Sequence, residues 1–274
     1  MISNYFDKNL VAVFLTLSIT ILLVVIGFYI LYFHNFEITS QNEDWGNFGS
    51  FVGGVAGALF SFLTILLLVV TFKKQNESFK QSQFESSFFE MLRLNRNLIE
   101  KIEYKDPQER INRKGLIYID YLSEQLNQFF STNHISDNSR RQIISGKFQK
   151  KDLQQHLQDE VNSIYKSFYK GKESILGHYF RSLYHILKFV EESEISNKEK
   201  YSSFVQAFLT DSELHILFYN GISDFGIDKF HNLIDKFSLL ENIKSKGEYF
   251  DIQFENLYPK TFPKYEKKRD KYSS

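Results

Sequence analysis

Cysteine is absent from this 274-residue chain, and that absence removes several kinds of chemistry at once. No disulfide, thiolate nucleophile or cysteine-ligated metal can form. Only three prolines occur, at positions 107, 259 and 263, so little between them interrupts a helix. Lys+Arg and Asp+Glu balance at 33 each, so net charge favours no particular class of partner. Phosphate-cradling loops, HExxH and Gly-x-Ser-x-Gly motifs are also absent from the sequence.

Two long apolar runs without charge stand at residues 10–33 and 48–72. The second, at 1.5 Å per residue, reaches about 37 Å as a helix and can cross a bilayer core of about 30 Å. The first is longer than the apolar region of a signal peptide, which is about 7–15 residues. We therefore expect two uncleaved transmembrane helices, spanning about 10–33 and 48–72.

The charges flanking these runs predict their orientation. The connector carries Glu37, Glu43 and Asp44 and no Lys or Arg, whereas Lys73 and Lys74 follow the second run. The positive-inside rule then predicts a two-helix membrane hairpin with both termini in the cytoplasm. The predicted domains are a transmembrane hairpin (1–75), a cytoplasmic all-α domain (76–258) and a basic tail (259–274).

Small residues recur every four positions in the second run and form two neighbouring stripes. The stripes are Gly46, Ser50, Gly54 and Ala58, and Gly49, Gly53, Gly57 and Ser61. Glycine is common in membrane helices in general. Two complete stripes favour close helix–helix contact, since small side chains let two backbones approach in lipid. We therefore predict that these residues pack helices and that the protein forms a homo-oligomer.

Helical periodicity continues through most of the remaining chain, so we predict an all-α fold. The second span is expected to run on as a helix to Asp106, and Pro107 to open a helix that reaches Thr132 through Gly115. A loop is expected at 133–149. Thr210 and Glu213 predict a capping box. Further helices are predicted at 151–169, 173–194, 196–208, 211–221 and 225–237, and the pattern decays from Lys244.

The most suggestive polar row is His178, Arg181, His185 and Lys188, on the face opposite the apolar stripe of the helix predicted at 173–194. His178 and His185 are separated by two turns, about 10 Å along the axis, so one metal ion cannot easily bind both. Arg181 and His185 could serve a ribonuclease of the HEPN type, although that class usually separates these residues by four to six positions rather than three. A solvated or subunit-facing row is the alternative.

Two other polar sets favour structural roles. His215 and Tyr219 lie one helical turn apart, which is typical of a hydrogen-bonded core or interface histidine. Residues 224–226, Asp-Phe-Gly, resemble a kinase magnesium motif, but no Gly-rich loop or HRD segment accompanies them. The sequence therefore predicts no metal and no cofactor.

The last 16 residues are basic, and we expect them to be disordered or loosely docked. Their cations could contact anionic lipid, or more weakly nucleic acid, or they could act only as a solubilising tail. The candidate contact residues are Lys264, Lys267, Lys268 and Arg269, flanked by Lys260 and Lys271.

An ordered set of blocks resembles the phage abortive infection family (AbiC-like). The first block is Trp-Gly-x-Phe-Gly-x-Phe-x-Gly-Gly at 45–54, followed by Ser61, Thr64 and Gln75. Later blocks are Phe-Glu-x-x-Phe-Phe-x-Met-Leu at 84–92, the stretch 178–188, Glu-Leu through Leu-Phe-Tyr-Asn at 213–220, and Lys-Phe at 229–230 with Leu-Glu-Asn at 240–242. The resemblance covers most of residues 45–243. It implies bacterial anti-phage defence and supplies no catalytic residues.

The sequence therefore predicts an anti-phage membrane effector whose cytoplasmic domain senses infection through a phage or host protein. The oligomerised hairpins would then disturb the membrane. Two alternatives stay open: a membrane-tethered HEPN-like ribonuclease, and a passive membrane anchor or scaffold for a defence partner.

Overall fold

A computed structural model describes residues 2–33, 42–105, 112–132, 143, 145 and 150–273. Within those ranges the chain forms ten helices and one two-stranded antiparallel sheet, which confirms the predicted all-α class. In chain order the elements are α1 (Ile2–Phe33), α2 (Asn42–Glu100), β1 (Glu103–Lys105), β2 (Asn112–Lys114), α3 (Gly115–Thr132), α4 (Lys150–Tyr169), α5 (Glu173–Glu192), α6 (Lys198–Phe208), α7 (Asp211–Ile222), α8 (Phe230–Lys236), α9 (Glu248–Leu257) and α10 (Phe262–Ser273).

The chain divides into two compact units, Met1–Gln83 (the N-terminal unit) and Phe84–Ser274 (the C-terminal unit). In the N-terminal unit, α1 contacts the first part of α2, and the Tyr29 ring lies 4.5 Å from that of Phe48. Most apolar side chains of both helices are exposed, and Val25 and Ala56 are the buried exceptions among the described residues. The structure thus contains two helices that are long and apolar enough to cross a membrane.

Helix α2 runs for 59 residues without a break, as the lack of Pro and the apolar periodicity predict. Within the C-terminal unit it buries one stripe of side chains: Phe84, Phe88, Leu92, Asn95 and Ile99. The i, i+4 and i+3 spacing of this stripe places it on a single helix face. The helix ends at Glu100, six residues before the predicted end at Asp106.

A two-stranded antiparallel sheet includes residues 112–114, which were expected to lie in the helix that begins at Pro107. Tyr104 of β1 pairs with Arg113 of β2, and α3 begins only at Gly115. The backbone of Gly115 has φ = +56°, a left-handed conformation that glycine adopts readily and that does not fit inside a right-handed helix. The prediction of a continuous helix through Gly115 was therefore wrong. The proposed cap at Asp106–Pro107 and most of the predicted loop at 133–149 lie outside the described residues.

Helix α7 lies at the centre of the C-terminal unit, and every residue from 213 to 222 is buried. It packs against α3, α4 and α8, while α5 packs against α6 and α8. The predicted capping box is present, because the Thr210 hydroxyl accepts from the Glu213 N–H and the Glu213 carboxylate accepts from the Thr210 N–H. The predicted helices α4, α5 and α6 also form, with small shifts at their ends.

The C-terminal part is more ordered than the decaying pattern and basic composition indicate. Helices α9 and α10 form, and Tyr258 and Tyr265 are buried. The Tyr265 ring lies 4.6 Å from Phe254 of α9. The expectation of a disordered or loosely docked tail was therefore wrong for residues 262–273. Aromatic side chains on two short helices carry this packing, and so few turns give little periodicity to read.

Candidate functional site

The polar row of α5 lies on the exposed side of the helix. His178, Arg181 and His185 are exposed, and Lys188 is half-buried and pairs with Glu192 at 3.4 Å. The opposite side of α5 is buried through Leu176, Tyr179, Phe180, Leu183, Ile186, Leu187 and Val190. The structure therefore brings the four predicted residues together on one surface, as their spacing indicates.

Arg181 and His185 each lie near an aromatic side chain. A Cβ added at Gly177 would lie 3.2 Å from Nη1 of Arg181 and 2.8 Å from the Tyr169 hydroxyl, so the guanidinium lies along α5 beside Tyr169. The His185 ring meets the edge of Tyr184 at 5.2 Å. This surface therefore holds an arginine and a histidine one helical turn apart.

Glu213, on α7, is the centre of a buried polar cluster in the C-terminal unit. Its side chain is 0% exposed, and burying a carboxylate is costly unless donors surround it. The Tyr179 hydroxyl donates to Oε1 at 2.8 Å, and the Thr210 N–H donates to Oε2 at 2.8 Å. Nη1 of Arg96 lies 3.3 Å from Oε1 and 3.4 Å from Oε2. The carboxylate thus joins α2, α5 and α7.

The pKa of Tyr179 reflects the electrostatics of the buried Glu213 centre. Burial first, and then the neighbouring Glu213 carboxylate, raise the pKa of the Tyr179 phenol well above its ordinary value. Tyr179 therefore stays protonated and donates its hydroxyl hydrogen to the carboxylate. The sequence identified Glu213 only as a capping residue and missed its burial and Arg96. The signal available was the position of Arg96 next to the buried stripe of α2.

His215 is a core histidine, as predicted. It is 1% exposed, and Ser123 Oγ lies 2.8 Å from its Nδ1. Burial lowers the pKa of His215 to about 4, so its ring is neutral at pH 7. Its Nε2 is buried and has no hydrogen-bond partner within the described part of the chain. Both side chains are buried, so this hydrogen bond joins α3 to α7 within the core.

The Asp-Phe-Gly segment forms a structural turn after α7. Asp224 accepts from Nζ of Lys166 at 2.5 Å and from the Asn162 side chain at 2.6 Å. A Cβ at Gly226 would lie 2.4 Å from the Asn220 carbonyl oxygen, so this position needs glycine for space. No group of three or more potential metal-ligating side chains occurs among the residues described.

Both small-residue stripes of α2 are exposed in the N-terminal unit. A Cβ added at any of the five stripe glycines meets no atom within 4 Å. The buried position of this segment is Ala56, which belongs to neither stripe. The stripes are therefore left open by the chain's own helices.

The basic residues of α10 are partly engaged within the chain. Lys268 Nζ lies 2.6 Å from Glu241, and Arg269 Nη1 lies 3.0 Å from Asp251. Lys264 donates to the Ser238 hydroxyl at 2.9 Å, whereas Lys267 is exposed. Contacts of these four residues with lipid or nucleic acid stay a prediction.

The class of protein is now defined by two candidate membrane-crossing helices and a C-terminal unit that is helical apart from one two-stranded sheet. Residues 171–247, from the start of α5 to the start of α9, match the family model putAbiC, described as "Putative phage abortive infection protein". This match confirms, over residues 171–247, the family resemblance seen in the sequence. The blocks at residues 45–92 lie outside the matched segment. No curated protein and no solved structure matches the chain.

Proposed function

We propose that this protein is a membrane effector of abortive infection, anchored by α1 and the first part of α2 as a two-helix hairpin. The observation that carries the proposal is the composition of α2. One unbroken helix supplies an apolar segment of membrane-crossing length and a buried stripe of the C-terminal unit. An event in the unit that holds the abortive-infection segment therefore has a covalent, helical route to the membrane.

The hairpin would lie in a bacterial inner membrane. The charges around it support a cytoplasmic location for the C-terminal unit. Glu43 and Asp44 lie in the first turn of α2, while Lys73, Lys74 and Lys80 follow its apolar segment. Positively charged flanks favour the cytoplasmic side. The C-terminal unit would there meet a phage or host protein that signals infection.

The open glycine stripes support assembly of several hairpins. In lipid, helices associate through close packing and not through the hydrophobic effect, so small residues promote contact. Two spans are too few to line a pore, so several copies would be required to disturb the membrane.

Membrane potential in infected cells tests the proposal. A potential-sensitive dye should report depolarisation in phage-infected cells that carry the protein, before lysis would occur. Uninfected cells with the protein and infected cells without it are the controls and should stay polarised over the same interval. Intact phage protection without depolarisation would exclude the membrane-effector mechanism.

A ribonuclease is the second candidate, favoured by the exposure of Arg181 and His185 on one face within the matched segment. Replacing both residues with Ala discriminates the two mechanisms. We expect unchanged phage protection at unchanged protein level, because the membrane mechanism does not use them. The matched control replaces His178 and Lys188 on the same face. A loss of protection confined to R181A/H185A, accompanied by loss of RNA cleavage, would favour the enzyme.

A passive membrane scaffold for a defence partner is the third functional hypothesis. It predicts a partner that co-purifies from infected and uninfected cells alike, together with unchanged membrane potential.

A further inference from the structure

The buried Glu213 centre goes beyond a helix cap, because it lies where α2 meets the matched segment. We propose that Arg96 and Glu213 form a latch that holds α2 against α5 and α7 and couples the C-terminal unit to the membrane. The inference rests on the proposed function for its consequence in cells, but the latch itself is a property of the C-terminal unit.

The two partners differ in their access to water. Glu213 is 0% exposed at its side chain, whereas the Arg96 side chain keeps 24% exposure. Arg96 is the one cation paired with this carboxylate among the described residues, since Tyr179 and Thr210 contribute neutral donors. When Arg96 leaves, the carboxylate stays buried with its charge uncompensated, which is the costly way to break a buried ion pair.

Tyr179 makes the latch a three-helix contact. Its hydroxyl donates to Glu213 of α7, and its backbone carbonyl accepts from Nδ2 of Asn95 on α2 at 3.4 Å. Asn95 and Arg96 are neighbours, so α2 holds α5 and α7 through two adjacent side chains. Loosening Arg96 therefore disturbs the attachment of α2 to both helices, whereas an ordinary surface ion pair would affect neither.

Helix α2 offers a matched control one turn earlier. Arg93 pairs with Glu90 at 2.7 Å, and both side chains are at least half exposed. Exposed pairs of this kind contribute little to stability. Arg93→Met and Arg96→Met therefore remove the same side chain from the same helix, and only the second one breaks the proposed latch.

Hydrogen–deuterium exchange of the full chain in detergent tests the latch directly. In Arg96→Met, exchange of amides at 84–100 should accelerate on the order of tenfold or more, while α8 to α10 keep their protection. Arg93→Met should match the parent protein. The double variant R96M/E213Q removes both charges, so amides at 84–100 should recover much of their slow exchange. Unchanged exchange in Arg96→Met overturns the proposal, and so do additive effects of R96M and E213Q.

Phage protection supplies the second readout. Cells with Arg96→Met should lose phage protection although the amount of the variant in the membrane is normal. Arg93→Met should keep phage protection, and R96M/E213Q should regain part of it. Arg96→Lys keeps the charge and should lie between Arg96→Met and the parent protein, which guards against a simple folding defect. Lost protection in Arg96→Met without faster exchange would overturn the latch. If the exchange results hold but infected cells stay polarised, the proposed membrane mechanism fails and the latch stands.

Discussion

His215 is 1% exposed on α7, and its position explains how one side chain responds to pH. Burial is the main cause that lowers its pKa from 6.5 to about 4, and the positive charge of Lys246 contributes further. The Ser123 hydroxyl hydrogen-bonds Nδ1, and Nε2 has no hydrogen-bond partner among the described residues. The folded chain therefore resists a proton that the unfolded chain accepts.

That difference predicts a pH-dependent stability. The contribution of His215 is complete above pH 6.5 and is lost as the pH falls toward 4, because only the unfolded chain is protonated in that window. Between pH 7 and pH 5 the loss should be about 2 kcal/mol. Thermal unfolding of the chain in detergent, followed by circular dichroism, measures it. His215→Gln should show a smaller drop than the parent protein, and His178→Gln, at an exposed site, should behave like the parent. Equal drops in all three proteins would contradict the assignment.

The residues of the Asp-Phe-Gly segment at 224–226 also have individual structural roles. Its aspartate pairs with Lys166, and its glycine fits against the Asn220 carbonyl. Packing within the fold therefore explains both residues without a magnesium site. A short motif acquires a function only from the groups that surround it in space.

Helix α2 is the element on which the proposed mechanism depends. A Cβ added at its glycines would meet no atom of the described residues within 4 Å, so we expect a larger side chain there to interfere mainly with a second helix. Its apolar segment is also long enough to keep its place in a bilayer after a single substitution.

Gly53→Leu and Gly57→Leu are therefore expected to weaken assembly and phage protection without lowering the amount of protein in the membrane. The reason is steric, since each leucine prevents the close backbone approach that small residues allow. Cross-linking in membranes and the mass of the detergent-solubilised particle measure assembly. Val69→Leu, at an exposed position of the same helix outside the stripes, is the matched control. Normal assembly and protection in both glycine variants would reduce this segment to an anchor.

Helix α10 shows how composition alone can mislead. Its sequence is basic and polar, yet Tyr265 is buried and two cations pair with acidic residues of the C-terminal unit. The cost of ordering the segment is offset by aromatic packing contributed by α9.

At the scale of the whole molecule, two units divide the tasks that the proposal needs. The N-terminal unit contains the helices that can cross a membrane, and the C-terminal unit contains the matched segment and the buried Glu213 centre. The depolarisation experiment tests the molecule as a whole, whereas hydrogen exchange tests the C-terminal unit by itself. If hydrogen exchange supports the latch while infected cells stay polarised, the membrane mechanism is wrong and the latch is not.

The sequence by itself determined the features that depend on neighbouring residues along the chain. Apolar length indicated both candidate spans, and i, i+4 periodicity indicated the continuation of α2 and the helices α4 to α7. Capping chemistry located the start of α7. Each of these is a local property, since a helix closes its hydrogen bonds within four residues.

Only the tertiary structure decided which polar residues share a site. Arg96 and Glu213 are 117 positions apart, and Ser123 and His215 are 92 apart, so no spacing rule joins them. The docking of α10 also depends on residues remote along the chain, since Lys268 pairs with Glu241 and Arg269 with Asp251. Burial converts an ordinary capping glutamate into a charge that needs a cation, and burial is set by the packing of helices and not by local sequence.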